Sequence, residues 1–335
     1  MATATIEYHA PDTVEAAVAL LREHGAAARI LAGGTDVVPA LKYGVVGARH
    51  LVSLKRLGAL RRLEVSADGD LVVGALVTLA DLASSPVVRA RWPVVAEAAG
   101  QAGSPLLRNR GTVGGNLCLD TRCWYFNQTE AWRASRPPCW KTAGDRCHVN
   151  EGENRCVALF SADTPPAFLV AGARVTLAGA TAPPAGRTIP MEALYTGESL
   201  KPVALGESEV VTTVTVPAPP PRSAAVYLKH AVRDSLDFPV LGVAARVALA
   251  PDGTIADARV AVTGAGPAPL RLAEVEAAVH GRRAPAADDA AVARLTARTL
   301  GPLFLSDGVP HKRAMAGLMA AEALARAAAA AGEIR

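Results

Sequence analysis

The chain has 335 residues, half of them hydrophobic and 20% charged, which is enough to bury a large core in two or three domains. Its net charge of +4 is spread along the sequence, which excludes the basic stripe typical of nucleic-acid binding. The sequence has neither an uninterrupted apolar run of 18 residues nor a secretory signal, so we expect a cytoplasmic protein without a membrane contact.

The N-terminal part predicts a mixture of helices and strands. A first helix follows Pro11, with Asp12 as its cap and Gly25 at its end. A short apolar strand over residues 29–32 leads into a glycine pair, and a second helix starts at Asp36. Further strands are predicted at residues 50–54, 61–65 and 71–74, and short helices at residues 78–83 and 92–99.

The C-terminal part predicts a separate sheet covered by helices. Residues 167–177 are predicted as a strand, and the proline-rich run Pro217–Pro221 is the best linker because it suits neither regular structure. Strands are predicted at residues 225–232, 240–249 and 258–263, and helices at residues 272–280, 286–299 and 311–331. We therefore predict an α+β protein with a mixed domain over residues 1–218 and a smaller domain over residues 222–335.

Two glycine-rich segments in the first domain suit an anionic ligand. The first is Gly33-Gly34-Thr35-Asp36 and the second is Thr112-Val113-Gly114-Gly115-Asn116. Adjacent glycines let backbone N–H groups approach a phosphate, and a following helix adds a favourable dipole. Either segment alone is also typical of a tight turn without a ligand, whereas the pair favours a dinucleotide held from both sides. Neither segment has the Rossmann or P-loop pattern.

Four of the five cysteines lie in one short segment that also holds three of the four tryptophans. They are Cys123, Cys139, Cys147 and Cys156, with 15, 7 and 8 residues between successive members. In a reducing compartment, clustered cysteines are more often metal ligands than disulfides. Wide spacing without close pairs favours an iron–sulfur cluster, and a structural zinc site is the alternative.

Taken together, these motifs resemble the flavin-binding medium subunits of the molybdenum hydroxylase (xanthine dehydrogenase) family. The matching pieces occur in family order at residues 32–36, 108–116, 161–167, 227–229 and 264–271. The resemblance implies an FAD-binding domain of the p-cresol methylhydroxylase (PCMH) type, which is vanillyl-alcohol-oxidase-like, followed by a CO dehydrogenase flavoprotein C-terminal domain. It implies FAD contacts from Arg29, Ile30, Leu31, Ala32, Gly33, Gly34, Thr35, Asp36, Thr112, Val113, Gly114, Gly115, Asn116, Asp163 and Lys229.

The interval between Asn116 and Asp163 departs from the usual family pattern because it is much longer here. This insertion, at about residues 118–158, resembles the branch formed by 4-hydroxybenzoyl-CoA reductase β-subunits. In that branch the insertion carries a 4Fe-4S cluster. The resemblance therefore implies Cys123, Cys139, Cys147 and Cys156 as cluster ligands, and Cys118 as a free, buried thiol.

The resemblance also implies a function, namely electron transfer through FAD and a 4Fe-4S cluster. A large subunit with the molybdenum cofactor would dehydroxylate an aryl-CoA, a small subunit would hold two 2Fe-2S clusters, and ferredoxin would donate electrons. The assembly would be a dimer of heterotrimers, and no residue of this chain would contact the substrate. Two alternatives remain. One is a hydroxylase subunit for aromatic or N-heterocyclic substrates with reversed electron flow, and the other is a zinc-bearing binding protein without redox function.

Overall fold

The protein, examined as a computed structural model, is described over residues 5–150, 152–179, 186–300 and 309–334. The helices are α1 (Val14–His24), α2 (Val37–Lys42), α3 (Leu79–Ser84), α4 (Pro86–Arg91), α5 (Pro93–Gln101), α6 (Pro105–Arg108), α7 (Val113–Leu117), α8 (Glu130–Ala134), α9 (Thr164–Ala171), α10 (Ala273–Val279), α11 (Ala290–Thr299) and α12 (Val309–Glu333). The strands are β1 (Glu7–His9), β2 (Ala28–Leu31), β3 (His50–Ser53), β4 (Leu63–Val65), β5 (Leu71–Gly74), β6 (Arg174–Ala178), β7 (Arg187–Pro190), β8 (Val210–Val216), β9 (Ser223–His230), β10 (Leu241–Leu249), β11 (Ile255–Thr263) and β12 (Leu270–Arg271).

These strands form three sheets. The first is parallel, with the order β1-β3-β2. The second is antiparallel, with the order β4-β5-β8-β6-β7, and the third is antiparallel, with the order β12-β11-β10-β9. Separate apolar clusters pack against these sheets, and the largest joins the second sheet to helices α3, α5 and α9. The predicted α+β class is confirmed.

The strand predicted at residues 167–177 is partly wrong. Residues 164–171 form α9, and only residues 174–178 form β6. The helix is buried on all sides, so its apolar run shows no periodicity that would separate it from a buried strand. Pro165 and Pro166 at its first turn favour the helix, because proline at that position lacks only an N–H that would be unpaired anyway.

Helix α1 starts one residue later than the sequence suggested. The Thr13 hydroxyl, not Asp12, caps it by accepting a hydrogen bond from the Ala16 N–H at 3.1 Å. Gly25 ends the helix with a φ of 48°, as predicted. The short helices α4 and α6, each beginning at a proline, were not predicted.

Helix α12 is long and apolar enough to cross a membrane by length and composition, although its sequence has no uninterrupted apolar run. Within residues 311–333, 56% of the most apolar 18-residue window is buried inside the protein. Buried Ala316, Ala320 and Leu324 belong to the apolar cluster of the third sheet. Packing against β9 and β10 therefore accounts for the apolar character of this helix.

Candidate functional site

A cavity of about 860 Å³ opens where the two glycine-rich segments meet. The first segment, Gly33–Asp36, connects β2 to α2, and the second, Thr112–Asn116, forms the start of α7. This volume lies in the upper part of the range for small-molecule and cofactor sites. The structure therefore brings together the two segments that the sequence singled out.

The first segment presents free backbone donors. Within the described residues, nothing accepts a hydrogen bond from the backbone N–H of Gly33, Gly34 or Thr35. Gly34 has a φ of 81°, which favours glycine, and a Cβ on Gly33 would lie 1.9 Å from the Arg110 carbonyl oxygen. Successive unpaired N–H groups form a concavity that binds anions, so this segment fits a pyrophosphate.

The second segment is built differently. The N–H groups of residues 113–116 are already used within the protein, where they donate to Val77, Ala75 and Thr112. Gly114 lies inside helix α7 rather than in a loop, and a Cβ there would lie 2.9 Å from that of Ala75. This segment therefore contributes close packing and shape to the cavity wall. The expectation that both segments offer backbone N–H groups to an anion is wrong for the second segment.

A buried ion pair supports one wall of the cavity. Asp163 lines the cavity, its Oδ1 lies 3.0 Å from the Lys229 Nζ, and it accepts a hydrogen bond from the Tyr227 hydroxyl at 2.9 Å. Burial raises the pKa of Asp163 to about 6, although Lys229 and Tyr227 act in the opposite direction. Asn116 is fixed in a similar way, because its Oδ1 accepts hydrogen bonds from the N–H and hydroxyl of Thr164.

Four of the predicted FAD contacts do not line the cavity. Lys229 stands behind Asp163 and donates to the Gln101 and Asp237 carbonyl oxygens. The Arg29 guanidinium donates instead to the nearby carbonyl oxygens of residues 26 and 28. The side chains of Leu31 and Val113 are buried. The other predicted contacts do line it: Ile30, Ala32, Gly33, Gly34, Thr35, Asp36, Thr112, Gly114, Gly115, Asn116 and Asp163.

Arg122, at the start of the insertion, is a cavity residue that the sequence did not identify as one. Its Nη1 lies 3.0 Å from the Asp36 Oδ1, and its guanidinium lies 4.7 Å from the Phe238 ring centroid. It therefore connects the first glycine segment, the insertion and the loop after β9. Burial raises the pKa of Asp36, while Arg122 lowers it. No sequence pattern predicts this pair, because 86 positions separate its members.

The four cysteines of the insertion are free, and the sulfur atoms of three of them accept a hydrogen bond. The donors are the Phe126 N–H to Cys123, the Thr142 hydroxyl to Cys139, and the Val149 and Asn150 N–H groups to Cys147. Such donors stabilise the thiolate, the form that binds metal, and they tune iron–sulfur clusters.

The thiols are spaced more widely than the ligands of a single zinc ion. All four lie in the described part of the chain, and no three of their sulfur atoms lie within 4.8 Å of one another. Sulfur atoms around a tetrahedral zinc ion would be roughly 3.8 Å apart. The four thiols therefore do not already form a zinc tetrahedron.

Two buried side-chain nitrogen atoms belong to residues that directly follow thiols in the sequence. Trp140 Nε1 and His148 Nε2 have no hydrogen-bond partner among the described residues, and His148 stacks on Tyr125 with 4.5 Å between ring centroids. The indole nitrogen can only donate. Unpaired buried donors are costly, so both atoms fit an acceptor such as the inorganic sulfide of a cluster.

Cys118 differs from the other four cysteines. Within the described residues, its sulfur accepts no hydrogen bond, and it lines the cavity rather than the thiol group. Burial raises the pKa of its thiol to about 12, so it stays protonated. Its partial solvent exposure arises because it faces the cavity.

Comparison with known proteins identifies two family matches. The profile described as the FAD binding domain in molybdopterin dehydrogenase matches residues 4–219. The profile described as the CO dehydrogenase flavoprotein C-terminal domain matches residues 226–329. Together these matches cover most of the chain, and they identify FAD as its cofactor.

Individual relatives agree with the profiles. The chain is 30% identical to the carbon monoxide dehydrogenase medium chain of Hydrogenophaga pseudoflava, and the alignment covers 95% of each. It is 33% identical to an aldehyde oxidoreductase FAD-binding subunit of Escherichia coli, covering 78% of this chain and 82% of the relative. A solved carbon monoxide dehydrogenase from Hydrogenophaga pseudoflava superposes with a TM-score of 0.76 at 30% identity, covering 98% of each chain.

Proposed function

The chain belongs to the family of FAD-binding medium subunits of molybdenum hydroxylases and CO dehydrogenases, and from that premise we propose that it is an electron-transfer subunit with two centres. FAD would occupy the 860 Å³ cavity, and Cys123, Cys139, Cys147 and Cys156 would hold a 4Fe-4S cluster. The observation that carries this proposal is one buried lysine of the insertion whose charge acts on both sites.

Lys141 is that lysine. Burial raises the pKa of Asp36 in the cavity and of Cys156 in the insertion, and the charge of Lys141 acts in the opposite direction on both. Its side chain is 5% exposed, and its Nζ is fixed by Asp120 at 2.8 Å and by the Thr121 carbonyl oxygen at 2.9 Å. A buried cation held there would offset the negative charge of a thiolate cluster beside the flavin.

The residues of this chain would bind and position both groups. The N–H groups of the first glycine segment would bind the pyrophosphate, the α7 segment would shape the opposite wall, and Asp163 would present a fixed carboxyl to the cavity. Bound FAD supplies one- or two-electron chemistry, and a 4Fe-4S cluster supplies one-electron transfer. The protein contributes spacing, burial and local charge.

We further propose the partners and the substrate class. The relatives named medium chain and FAD-binding subunit belong to larger assemblies, so a large molybdenum-cofactor subunit would act on the substrate and a small subunit would hold two 2Fe-2S clusters. The thiol insertion supports a 4-hydroxybenzoyl-CoA reductase-like role. In that role ferredoxin donates electrons, and an aryl-CoA is reductively dehydroxylated in the cytoplasm by a dimer of heterotrimers.

A second candidate reverses the electron flow. The relatives include dehydrogenases of carbon monoxide and nicotinate, and these names favour substrate oxidation by the molybdenum subunit, with FAD passing electrons to an acceptor. The insertion is the feature that favours reduction of the substrate instead. A metal cluster beside the flavin would provide an entry point for single electrons from a one-electron donor.

The test uses the complex purified anaerobically with its partner subunits. Flavin and iron are quantified, and the complex is assayed in both directions. One assay supplies a reduced low-potential donor with 4-hydroxybenzoyl-CoA, and the other supplies aromatic or heterocyclic substrates with an artificial acceptor. Reduction of the aryl-CoA supports the first proposal, and oxidation alone supports the second. A colourless chain with one zinc ion and no flavin would contradict both.

A further inference from the structure

Three histidines that are far apart in sequence meet at one end of the parallel sheet. His9 lies in β1, His24 ends α1, and His50 starts β3. One ring nitrogen from each lies within 4.8 Å of those of the other two. The parallel pairing of β1 with β3, which sets Glu7 opposite His50, brings them together.

The distances among these donor atoms match a metal site. His9 Nε2 lies 3.1 Å from His50 Nδ1. The Glu7 carboxylate oxygens lie 3.4 Å from His50 Nδ1 and 3.7 Å from His9 Nε2. Nitrogen ligands around a tetrahedral zinc ion are roughly 3.3 Å apart, from Zn–N bonds of about 2.05 Å. The carboxylate and two imidazoles therefore already converge with nearly the right separation.

His24 would complete the set after a small rotation. Its ring stacks on His50 with 3.7 Å between centroids and 5° between planes, so the two lone pairs do not yet point to one ion. The terminal torsion of histidine is broad and turns easily. Stacking explains why two rings are close. It does not explain why three ring nitrogens converge from three different elements, with the Glu7 carboxylate beside two of them.

We propose that Glu7, His9, His24 and His50 form a site for one divalent transition metal ion. Imidazole and carboxylate ligands suit Zn²⁺, which has no redox chemistry. The site lies at the end of the sheet opposite the cavity, because His50 pairs with Ala28, at the start of β2, whereas the glycine segment follows the end of β2. The ion would tie β1, α1 and β3 together and stabilise the sheet that supports that segment.

The test is a Zn²⁺ titration of the full-length chain, purified anaerobically with its flavin and thiol-bound metal in place. Isothermal calorimetry should show one Zn²⁺ site per chain. His24→Phe keeps a flat ring against His50 but removes the donor nitrogen. It should weaken binding by more than the roughly 10- to 100-fold typical of lost second-shell contacts. His280→Phe, at an exposed position outside the cluster, is the matched control and should bind like the wild type.

Co²⁺ identifies the ligands independently. Nitrogen and oxygen ligands give visible bands alone, whereas cysteine ligands add a strong near-ultraviolet charge-transfer band. Co²⁺ should therefore give no such band in the wild type, and its visible bands should be lost in both His24→Phe and His9→Ala. Either variant counts only if it retains bound FAD. Absence of Zn²⁺ binding to the wild type, binding in His24→Phe and His9→Ala as tight as in the wild type, or a thiolate band would each overturn the proposal.

Discussion

The flavin cavity and the thiol insertion are stabilised in opposite ways. The cavity is walled by glycines, strand ends and buried side chains that belong to the large cores of the protein. Among its described residues, the insertion at about residues 118–158 has one short α-helix and one 3₁₀ turn, and its own buried cluster consists of Tyr125, Phe126 and Cys139. Its order therefore depends mainly on hydrogen bonds and on the centre that its thiols would hold.

This difference indicates that the flavin cavity, unlike the thiol site, has its final shape before its ligand binds. A cavity that is part of a large apolar core keeps its shape without ligand, because closing it would expose that core to water. A segment with few buried apolar contacts gains its stability from metal binding, as small metal-bound domains do. Loss of FAD should therefore leave the cavity intact, whereas loss of the metal should loosen the insertion.

The largest effect should come from forcing apart the close backbone contact between Gly33 and Arg110, which lies just before the second glycine segment. In Gly33→Val the new Cβ would meet the Arg110 carbonyl oxygen at 1.9 Å, so the segments must separate. We expect FAD affinity to fall by at least about a hundred-fold, or ~3 kcal/mol, while iron stays bound. Flavin absorbance after desalting measures this. The matched control is Gly58→Val, where a Cβ meets nothing within 4 Å. Full flavin occupancy in Gly33→Val would remove the segment from the site.

A substitution in the insertion should have the opposite effect, with loss of iron and retention of FAD. Cys139→Ser removes a buried thiol of the set, so iron content should fall to background while FAD remains bound. Amide hydrogen exchange should then rise across residues 123–156 and stay unchanged at the glycine segments. Cys118→Ala is the control, since its thiol lines the cavity and should leave iron unchanged. Unchanged iron in Cys139→Ser would show that the ligand assignment is wrong.

The buried carboxyl of the cavity should produce a pH dependence of smaller size. Because the folded-state pKa of Asp163 lies at about 6 instead of 3.8, its contribution to stability is full below pH 3.8. That contribution is lost as the pH rises through about 6. Relative to Asp163→Asn, the wild type should lose about 2 to 3 kcal/mol between these limits. Urea unfolding of both chains at saturating FAD from pH 4 to 7 measures the difference, and a constant difference would rule out this titration.

The smallest effect should come from the link between the two regions. Arg122 pairs with Asp36 while both side chains remain partly exposed, at 34% and 44%. Solvent screens such pairs, so Arg122→Ala should weaken FAD binding by about three-fold or less, near 0.5 kcal/mol. Flavin fluorescence titration measures this, with Arg146→Ala as a control because its partner Asp145 lies within the insertion. A ten-fold loss would mean that Arg122 contacts FAD directly.

Much of the fold could be predicted because its signals are local. The strands β10 and β11 and the end of α1 at Gly25 depend on neighbouring glycines and on apolar residues close in sequence. Helix α9 could not be predicted from periodicity, because burial on every side removes the polar face that reveals a helix. Helices α4 and α6 are short turns whose start at a proline is their only signal.

The sequence by itself determined the family, the FAD cofactor and the segments that form the cavity, since adjacent glycines act through their own backbone. It also separated the thiol segment from the rest of the chain. Only the tertiary structure decided that the first glycine segment has free N–H groups and the second does not. It likewise decided that Arg122 reaches Asp36 and that His9, His24 and His50 converge. These features depend on strand register and long-range packing, which no local pattern encodes.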